Sequence, residues 1–518
     1  MGAERHADTR EPGVLDFVSV GGAWVRSGRM QGGWVMKAFN ALRRVGVLVG
    51  TCVSAGLLLL MASGAAARPA CGVVSAGGSH DTLQAAVDAA TSGDTLKVKG
   101  TCYGATTVDK SLTIVGRGQA TLDGRNTGSV VKVDEGVTVA VTGLTITGGT
   151  GSEVSADLTC GDSNNYGGGI LNLGSLTLAR STVTGNAALR GGGIENLAGS
   201  LVVTDSTVAD NKHGGGIVNS TSRPQCELGG SLMIINSTVR DNAGGGIVNS
   251  GLLTLTNSTV ADNSGVGIGN VGRPAVTNST VSGNSGVGIE STGFFSGGGL
   301  TLTNSTVARN SRGGITSNHE LLTLKNSSVT GNAGGRECCN TSYTVGGGIA
   351  SFEDEVTLTN STVTGNTAEY GGGMWNVFEA VTLTNSTVAR NAARYGGGIA
   401  DTNAPLRLIL NGSSSVSRNR ASVDGGGVWD EPPKLSAPDT RVILNDSSSV
   451  TGNTAFGSGG GIYNGNGELT LNNSASVTRN EASLHGGGIY NAFGATLSFG
   501  AGWAGTVSRN DPDDIFTE

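Results

Sequence analysis

The chain has 518 residues, of which 89 are Gly and only 9 are Pro, while 4% are aromatic and 14% are charged. This composition is unusual for ordinary globular cores and favours a repeat architecture. Residues 68–518 carry 26 basic and 36 acidic side chains, a net charge of about −10. Such an acidic chain is a poor match for nucleic acid, which we exclude as a partner.

The N-terminal segment has the features of a secretory signal. Basic residues between 37 and 44 precede the uncharged run 45–62, and an A-x-A pattern follows at 65–67, which is the usual order of such a signal. We therefore expect a signal peptide over 36–67 and a mature chain that begins near Arg68. That mature chain is expected to be extracellular or at the cell surface, with no membrane span.

Two further interpretations concern this region. A transmembrane anchor is the alternative to the signal, although Gly, Ser and Thr dilute its apolar run. Residues 1–35 show no hydrophobic period, so we expect them to be an untranslated or disordered leader, with Met36 as the true start.

Seven cysteines are present, and Cys52 lies inside the predicted signal. The even number that remains favours disulfides in a secreted chain. We expect the pairs Cys71–Cys102 and Cys160–Cys226, and other pairings of the six thiols remain open. The chain has no C-x-x-C pair and no His–Cys spacing typical of zinc, so no metal or cofactor is expected.

A repeat with a minimum period of 21 residues runs through most of the chain. Its most regular feature is a Val in the phrase NSTV or a variant of it, and successive Val residues are 21 to 34 positions apart. A fixed unit with variable additions indicates coils with loops at permitted places. The Val residues are Val183, Val208, Val239, Val260, Val281, Val307, Val329, Val363, Val388, Val416, Val450, Val477 and Val507.

Within one unit, apolar residues alternate with polar ones at the period of a strand buried on one face. Leu253 and Leu255 are predicted to face inward and Thr254 outward; in the strand before, Ile247 faces inward and Val248 outward. Three such strands and three turns fit one unit. A single unit cannot bury its own apolar face, so the units must stack.

Stacking would align equivalent residues of successive units. We expect one inward stack of Ile170, Ile194, Ile217, Ile247, Ile349, Ile399, Ile462 and Ile489. An internal amide ladder is expected from Asn257, Asn278, Asn304, Asn326, Asn360 and Asn385. The alternative for these N-S-T triplets is that they accept N-linked glycans.

The segment 81–124 differs from the repeats. It begins with a predicted helix that places Leu83, Ala86, Val87 and Ala90 on one face and ends at Gly93, before the first strands. Such a helix would cap the open end of a solenoid.

Together with the GGGI and NSTVTGN repeats, this segment resembles the right-handed parallel β-helix, or pectin-lyase-like, superfamily. The repeats resemble those of secreted bacterial β-helix proteins and, more distantly, of chlamydial polymorphic membrane proteins. The resemblance covers roughly residues 72–514 and implies an all-β, single-stranded parallel β-helix with a short N-terminal capping helix.

The predicted organisation is therefore a cap with the first coils over 68–124, repeats over 125–510 and an acidic tail over 511–518. Longer units are expected to add loops at turns. Those loops are predicted at 150–166, 220–230, 333–345 and 430–440.

Known catalytic patterns are missing from the sequence. The Gly runs lack the Lys-Ser/Thr ending of a phosphate-binding loop and the Asp of calcium-binding repeats. Glu195 and Glu290 are predicted to face solvent four coils apart, about 19 Å at strand spacing, too far for a glycosidase pair. His80, His213, His319 and His485 are also dispersed. No catalytic residue is assigned.

One region predicts a ligand site. After the GGG turns, the outward residues are Trp375, Ala400, Trp429, Tyr463 and Tyr490. A solvent-facing aromatic strip beside carboxylates is typical of sugar-binding grooves. The alternative is an aromatic ladder that only stabilises the sheet. The carboxylates beside the strip are Glu353, Asp354, Glu355, Glu379, Asp401, Asp430 and Glu431.

Three functions compete on this sequence. The first is a secreted, non-enzymatic binding or structural surface, adhesin-like, for a polysaccharide or a cell-surface glycan, with Trp375, Trp429, Tyr463, Tyr490, Asp354, Glu379 and Asp401 as ligand-binding residues. The second is a polysaccharide lyase or glycoside hydrolase with its site in 336–431, using Arg336, Arg394 and Arg407. The third is an ice-binding or purely structural solenoid that presents an outward Thr array. That array comprises Thr254, Thr256, Thr301, Thr303, Thr357, Thr359, Thr382 and Thr384.

Overall fold

A computed structural model describes residues 70–154, 165–220, 229–293, 299–334, 343–401, 407–430, 440–465 and 467–518. All of them belong to one compact unit, residues 66–518. The predicted leader, the signal peptide and the greater part of each predicted loop lie outside the described residues, as do Cys160, Cys226, Cys338 and Cys339. No helix in the described ranges is long and apolar enough to cross a membrane.

Each repeat unit forms one coil of three short strands. In one coil these are Ile247–Asn249, Gly251–Thr256 and Thr259–Ala261. Each strand pairs in parallel with its equivalent in the next coil, and Ile247 aligns with Ile268. We call the three resulting stacks the Ile, Leu and Val columns. They confirm the predicted parallel β-helix.

The columns run almost the whole described length. The Ile column comprises Thr106–Val108, Val131–Val133, Ile170–Asn172, Ile194–Leu197, Ile217–Ser220, Ile247–Asn249, Ile268–Asn270, Ile289–Thr292, Ile315–Asn318, Ile349–Phe352, Met374–Val377, Ile399–Ala400, Val428–Asp430, Ile462–Asn464, Ile489–Asn491 and Ile515–Thr517. The Leu column comprises Thr95–Tyr103, Leu112–Asp123, Thr138–Thr142, Ser175–Ala179, Ser200–Thr204, Gly229–Ile235, Gly251–Thr256, Arg273–Thr277, Gly299–Thr303, Leu321–Lys325, Val356–Thr359, Ala380–Thr384, Arg407–Asn411, Arg441–Leu444, Glu468–Leu471 and Thr496–Phe499. The Val column comprises Thr145–Thr147, Thr182–Thr184, Thr207–Ala209, Thr238–Arg240, Thr259–Ala261, Thr280–Ser282, Thr306–Ala308, Ser328–Thr330, Thr362–Thr364, Thr387–Ala389, Ser415–Ser417, Ser449–Thr451, Ser476–Thr478 and Thr506–Ser508.

Two smaller features complete the strand pattern. The long strand Leu112–Asp123 spans both the Leu and the Val columns, because it pairs with a strand of each. A fourth, short stack extends the late coils at the turn after the Val column. Its strands are Ala392–Ala393, Arg420–Ala421, Thr454–Ala455 and Glu481–Ala482.

The N-terminal end is capped as predicted. The helix Leu83–Ala89 begins after Thr82, whose hydroxyl accepts a 3.1 Å hydrogen bond from the Ala85 amide. Its buried residues Leu83, Ala86 and Val87 join the core. The strands Gly72–Ser75 and Gly78–His80 form an antiparallel hairpin beside it. The predicted disulfide between Cys71 and Cys102 is present.

The core is one continuous apolar interior. Every Ile of the predicted stack is buried, as are Leu253 and Leu255, while Thr254 and Val248 are exposed on the opposite face. Period-two alternation therefore assigned the faces of these strands correctly.

The predicted Asn ladder exists but lies on the opposite side of the backbone. Asn257 is exposed with a φ of 48°, and its side-chain amide donates to the Asn236 carbonyl oxygen at 3.2 Å. Asn tolerates this left-handed conformation with its side chain turned outward. The prediction of an internal position was therefore wrong for these residues.

Two other Asn ladders lie inside. The first follows the Val column, and in it Asn263 donates to Asn284 at 2.9 Å and Asn284 to Asn310 at 3.0 Å. The second lies at the end of the Ile strands, where Asn249 donates to Asn270 at 2.7 Å. Each amide also bonds backbone groups, which satisfies the turns of the coil.

The Gly runs serve these turns. Gly371 has a φ of 59°, which favours glycine. A Cβ on Gly372 would lie 2.4 Å from the Ala392 carbonyl oxygen, and one on Gly373 would lie 2.6 Å from the Gly398 carbonyl oxygen. Close stacking of successive coils thus requires glycine, and a phosphate-binding role is not needed to explain the runs.

The last coil extends beyond the predicted boundary. Ile515–Thr517 pairs in parallel with Ile489–Asn491. The segment predicted as an acidic tail therefore contributes the final strand of the Ile column.

Candidate functional site

The predicted aromatic strip lies on the outer face of the Ile column. In register, Ala350 is followed by Trp375, Ala400, Trp429, Tyr463 and Tyr490. The outward direction is as predicted, but exposure is not, because Trp375 is 4% exposed, Trp429 5% and Tyr490 8%. Only Tyr463 is half-buried. Strand alternation fixes the face of a residue and not what packs over it.

Three tyrosines pack over this face. Tyr343, Tyr370 and Tyr395 are half-buried and contact the cluster formed by Trp375, Trp429 and their neighbours. We call these three residues the tyrosine column. Tyr370 and Tyr395 precede successive GGG turns and are joined by a parallel bridge, which places their side chains one above the other.

The rings of the column stack along it, one pair nearly parallel and the other tilted. The Tyr370 and Tyr395 rings are 5.2 Å apart and nearly parallel, and Tyr343 lies 4.9 Å from Tyr370 at a tilt of 55°. The Trp429 ring lies 4.8 Å from the Tyr395 ring. The buried Trp429 ring thus packs against Tyr395 on the side of the sheet, and the tyrosines remain partly open to solvent.

Charged groups flank the column. Arg394 places its guanidinium carbon 5.3 Å from the centre of the Tyr395 ring and bonds Glu369 at 3.3 Å. The Glu369 amide in turn donates to the Thr344 hydroxyl at 3.0 Å. A flat aromatic surface therefore has hydrogen-bond donors and acceptors at its margin.

A second aromatic stack lies in the last coils. The Tyr463 and Tyr490 rings are 4.8 Å apart, and Tyr490 lies 5.5 Å from Phe516. The Tyr490 hydroxyl donates to Glu518. Burial, together with the charges of Asp424, Glu518 and Asp430, raises the pKa of Tyr463 to about 12. Consecutive stacking was thus correct for Tyr463 and Tyr490, whereas Trp429 contacts the tyrosine column instead.

Of the six predicted flanking carboxylates in the described ranges, three point away from solvent and three, including Glu355, are exposed. Asp354, Asp401 and Asp430 are buried, while Glu353 and Glu379 are exposed. Asp401 and Asp430 continue the inward row of the Ile column in register with Asn464. The prediction that Asp354 and Asp401 border an open groove was wrong, because their position in the strand or turn directs them inward.

Glu195 also differs from its prediction. It lies on the outer face but is fully buried, and it accepts a 2.5 Å hydrogen bond from the Ser220 hydroxyl. Burial raises the pKa of Glu195 to about 7, against the opposing effects of Ser220 and Arg190. Glu290, four coils away as predicted, is half-buried.

Two further acidic residues lie close together inside the β-helix. Glu320 and Asp354 follow adjacent strands of the Ile column, and the Glu320 amide donates to the Asp354 carboxylate. We call them the acid pair. Burial raises the pKa of Glu320 to about 7, and the Asp354 charge adds to the effect. Burial likewise raises the pKa of Asp354 to about 6, partly offset by the Glu320 amide and by Ser317, Ser351 and His319.

Those residues of the enzymatic alternative that the structure describes do not converge on an open site. Arg336 lies outside the described residues, Arg394 bonds Glu369, and Arg407 is exposed on the Leu column. No set of three or more metal-ligating side chains occurs within the described ranges.

The outward Thr array is interrupted. Thr254 aligns with Ala275 before the row continues at Thr301, and Thr303 aligns with Lys325 before Thr359. A lysine and an alanine break the regular hydroxyl spacing that an ice-binding surface requires, and a purely structural role does not depend on that spacing.

Sequence reasoning missed Tyr370, Tyr395 and Glu320. The recurrence of EYGGG and RYGGG at 369–373 and 394–398 was a usable signal for two stacked tyrosines. The sequence signal for Glu320 was weaker: Ser317, three residues before it, occupies a position that is Asn in most coils.

The sequence matches a family model described as right-handed β-helix region over residues 229–346. No curated protein matches the chain.

Several solved structures are similar at low identity. The pectate lyase Pel9A is 17% identical and is matched over 59% of this chain and 74% of its own, with a TM-score of 0.32. A mutant of the periplasmic alginate epimerase AlgG is 11% identical over 82% of this chain and 85% of its own, with a TM-score of 0.33. The receptor-binding domain of the Siphovirus 9NA tailspike is 12% identical over 84% and 77%, with a TM-score of 0.24.

With TM-scores this low, the assignment of the fold rests on strand pairing and on the family match. The parallel, in-register columns identify the described chain as a parallel β-helix, and the family match over residues 229–346 agrees with a right-handed one.

Proposed function

We propose that this protein is a secreted or surface-exposed β-helix that binds an extended glycan, without catalysis, along the tyrosine column. The observation that carries the proposal is the near-parallel pair Tyr370 and Tyr395, partly exposed and supported by Trp429. Aromatic rings present flat apolar surfaces with specific stacking geometry, which suits the apolar face of a pyranose.

The surroundings of the column favour a polar, elongated ligand. Arg394 and Glu369 lie beside the rings and offer donors and acceptors for hydroxyl groups. Ligand sites commonly combine aromatic surface with a few polar groups that fix orientation. Because the rings follow the axis of the solenoid, a chain-like ligand would contact several of them at once.

The geometry supports binding more than catalysis. Hydrolysis or elimination at a glycosidic bond needs carboxylates or bases that reach the substrate. Three of the carboxylates that the enzymatic alternative would use, Asp354, Asp401 and Asp430, are buried, and Glu369 beside the rings bonds Arg394. The proposed site therefore supplies stacking and hydrogen bonding rather than acid–base chemistry.

The test is a binding screen of residues 68–518 against polysaccharides, followed by measurement of the dissociation constant for Tyr395→Leu. Leucine keeps an apolar cover over Trp429 but removes the flat ring. Loss of one stacking contact, on the order of 1 kcal/mol, should weaken binding about fivefold. Release of sugar fragments by the parent protein would contradict the non-catalytic part of the proposal.

Tyr103→Leu is the matched control. Tyr103 is also a partly exposed tyrosine, 42% exposed, and Arg125 packs on its ring at 3.7 Å, but it lies in the first coils. The control should leave affinity unchanged. If Tyr395→Leu binds as tightly as the parent, or if Tyr103→Leu weakens binding equally, the tyrosine column is not the site.

A further inference from the structure

The Asn ladder of the Ile column is interrupted in the middle of the molecule. Asn249 donates to Asn270, and Asn270 donates to the Ser291 hydroxyl at 2.9 Å. The next two positions in register are Ser317 and Ser351. Serine is shorter than asparagine, so these two coils lack the side chains that fill this corner elsewhere.

The acid pair fills the space. Glu320 and Asp354 each follow one of these serines by three residues. Asp354 accepts a 3.3 Å hydrogen bond from Ser351 and a second from the Glu320 amide. Gly293 makes room in the coil before, since a Cβ there would lie 3.0 Å from the Glu320 Cβ. The Asn ladder of the Ile column is thus followed by the carboxyl groups of Glu320 and Asp354.

The two carboxyl groups differ in the number of hydrogen bonds that they accept. Asp354 has two donors, whereas neither carboxyl oxygen of Glu320 has a partner in hydrogen-bonding geometry, although the Ser291 hydroxyl is close enough to lower its pKa. The residue is only 7% exposed. A buried carboxylate without donors is costly, and such a group binds a proton instead.

We propose that the acid pair retains one proton near neutral pH and that its loss loosens the coils at 315–320 and 349–354. The device is a proton-dependent lock inside the β-helix, independent of any ligand on the outer face. The bound proton leaves the pair with at most one negative charge, and its removal places two negative charges in one buried corner.

Few other charges face the pair. On the same turns, His319 bonds Glu353 at 2.7 Å, and both are about half exposed. Glu355 is exposed beside Asp354, and half-buried Glu290 lies on the outer face of the coil before. His319 is the nearby group that opposes proton binding by Asp354, and burial outweighs it in raising the pKa.

The sign of the effect follows from the raised pKa values of both acids. The folded state binds protons that the unfolded chain has already lost, so stability falls as pH rises from about 4.5 to about 7. Above that range the contribution is constant. One proton bound only by the closed state changes the opening constant by at most about tenfold per pH unit.

The test is hydrogen exchange of the Glu320 amide, which reports directly on opening because that amide donates to Asp354. In the parent protein its protection factor should fall as pH rises from 5 to 7, approaching the tenfold limit per unit. Glu320→Gln should abolish most of this dependence. Glu355→Gln, which removes an exposed neighbouring acid, should leave it intact.

Infrared difference spectra provide a second readout that does not depend on a variant's folding. The parent at pH 6 should show a protonated carboxyl band that is lost by pH 8, and because buried Glu195 contributes to it, the band must be larger in the parent than in Asp354→Asn. An equal pH dependence in the parent and in Glu320→Gln would overturn the proposal. So would a parent spectrum with no protonated buried carboxyl at pH 6.

Discussion

At the residue scale, Trp429 combines an outward position on the sheet with almost complete burial. Its ring contacts Tyr370 and Tyr395 and lies in the small outer cluster that also contains Trp375 and Ala400. Its energetic role is therefore that of a core residue, although its backbone position belongs to the outer face.

Trp429→Ala should consequently destabilise the protein strongly. Removal of a buried tryptophan costs the transfer free energy of the ring and leaves a cavity, about 3 kcal/mol or more of unfolding free energy. Denaturant unfolding monitored by circular dichroism measures this loss. Phe493→Ala is the control, because its ring is 83% exposed and its removal should change stability little. Similar effects of the two variants would contradict the packing described for Trp429.

At the element scale, Asn residues that recur with the same period have opposite roles. In one coil Asn278 is exposed at a φ of 48°, whereas Asn284 is buried. Asn284 accepts from both the backbone and the side chain of Asn263 and donates to Asn310. The inner residue therefore holds three successive coils together.

Asn284→Ala and Asn278→Ala form a matched pair six residues apart. The inner substitution leaves several buried donors and acceptors without partners, each worth about 1–3 kcal/mol. The outer one loses only a solvated bond and a favourable left-handed residue, about 1 kcal/mol. Urea unfolding should therefore separate the two variants clearly. Equal losses would mean that the two ladders were assigned to the wrong sides.

The sequence predicted the strands better than it predicted the turns between them and the side-chain contacts at those turns. Alternation placed Ile247, Leu253 and Leu255 correctly, since an inward position must be apolar in every coil. It could not separate Asn257 from Asn263, because both are turn residues and either could point inward. It also could not show that Tyr370 and Tyr395 contact Trp429, since those contacts join side chains from different coils.

At the scale of the whole molecule, the stacked coils convert a local repeat into lines of equivalent side chains. The tyrosine column is one such line, and its rings are about 5 Å apart along the axis. The interior acid pair is a local exception to the same rule, in a stretch where three successive serines replace asparagine. Function in this β-helix is therefore expected where the repeat departs from its consensus.

The most direct test of the proposed glycan site is the dependence of affinity on chain length. Dissociation constants for a series of oligosaccharides of the glycan found in the screen should decrease with each added unit. They should reach a plateau when the chain spans Tyr343, Tyr370 and Tyr395. In Tyr395→Leu the gain from the longer chains should shrink. Affinity that is the same for one unit as for the longest chain, or a length dependence unchanged by Tyr395→Leu, would contradict the account.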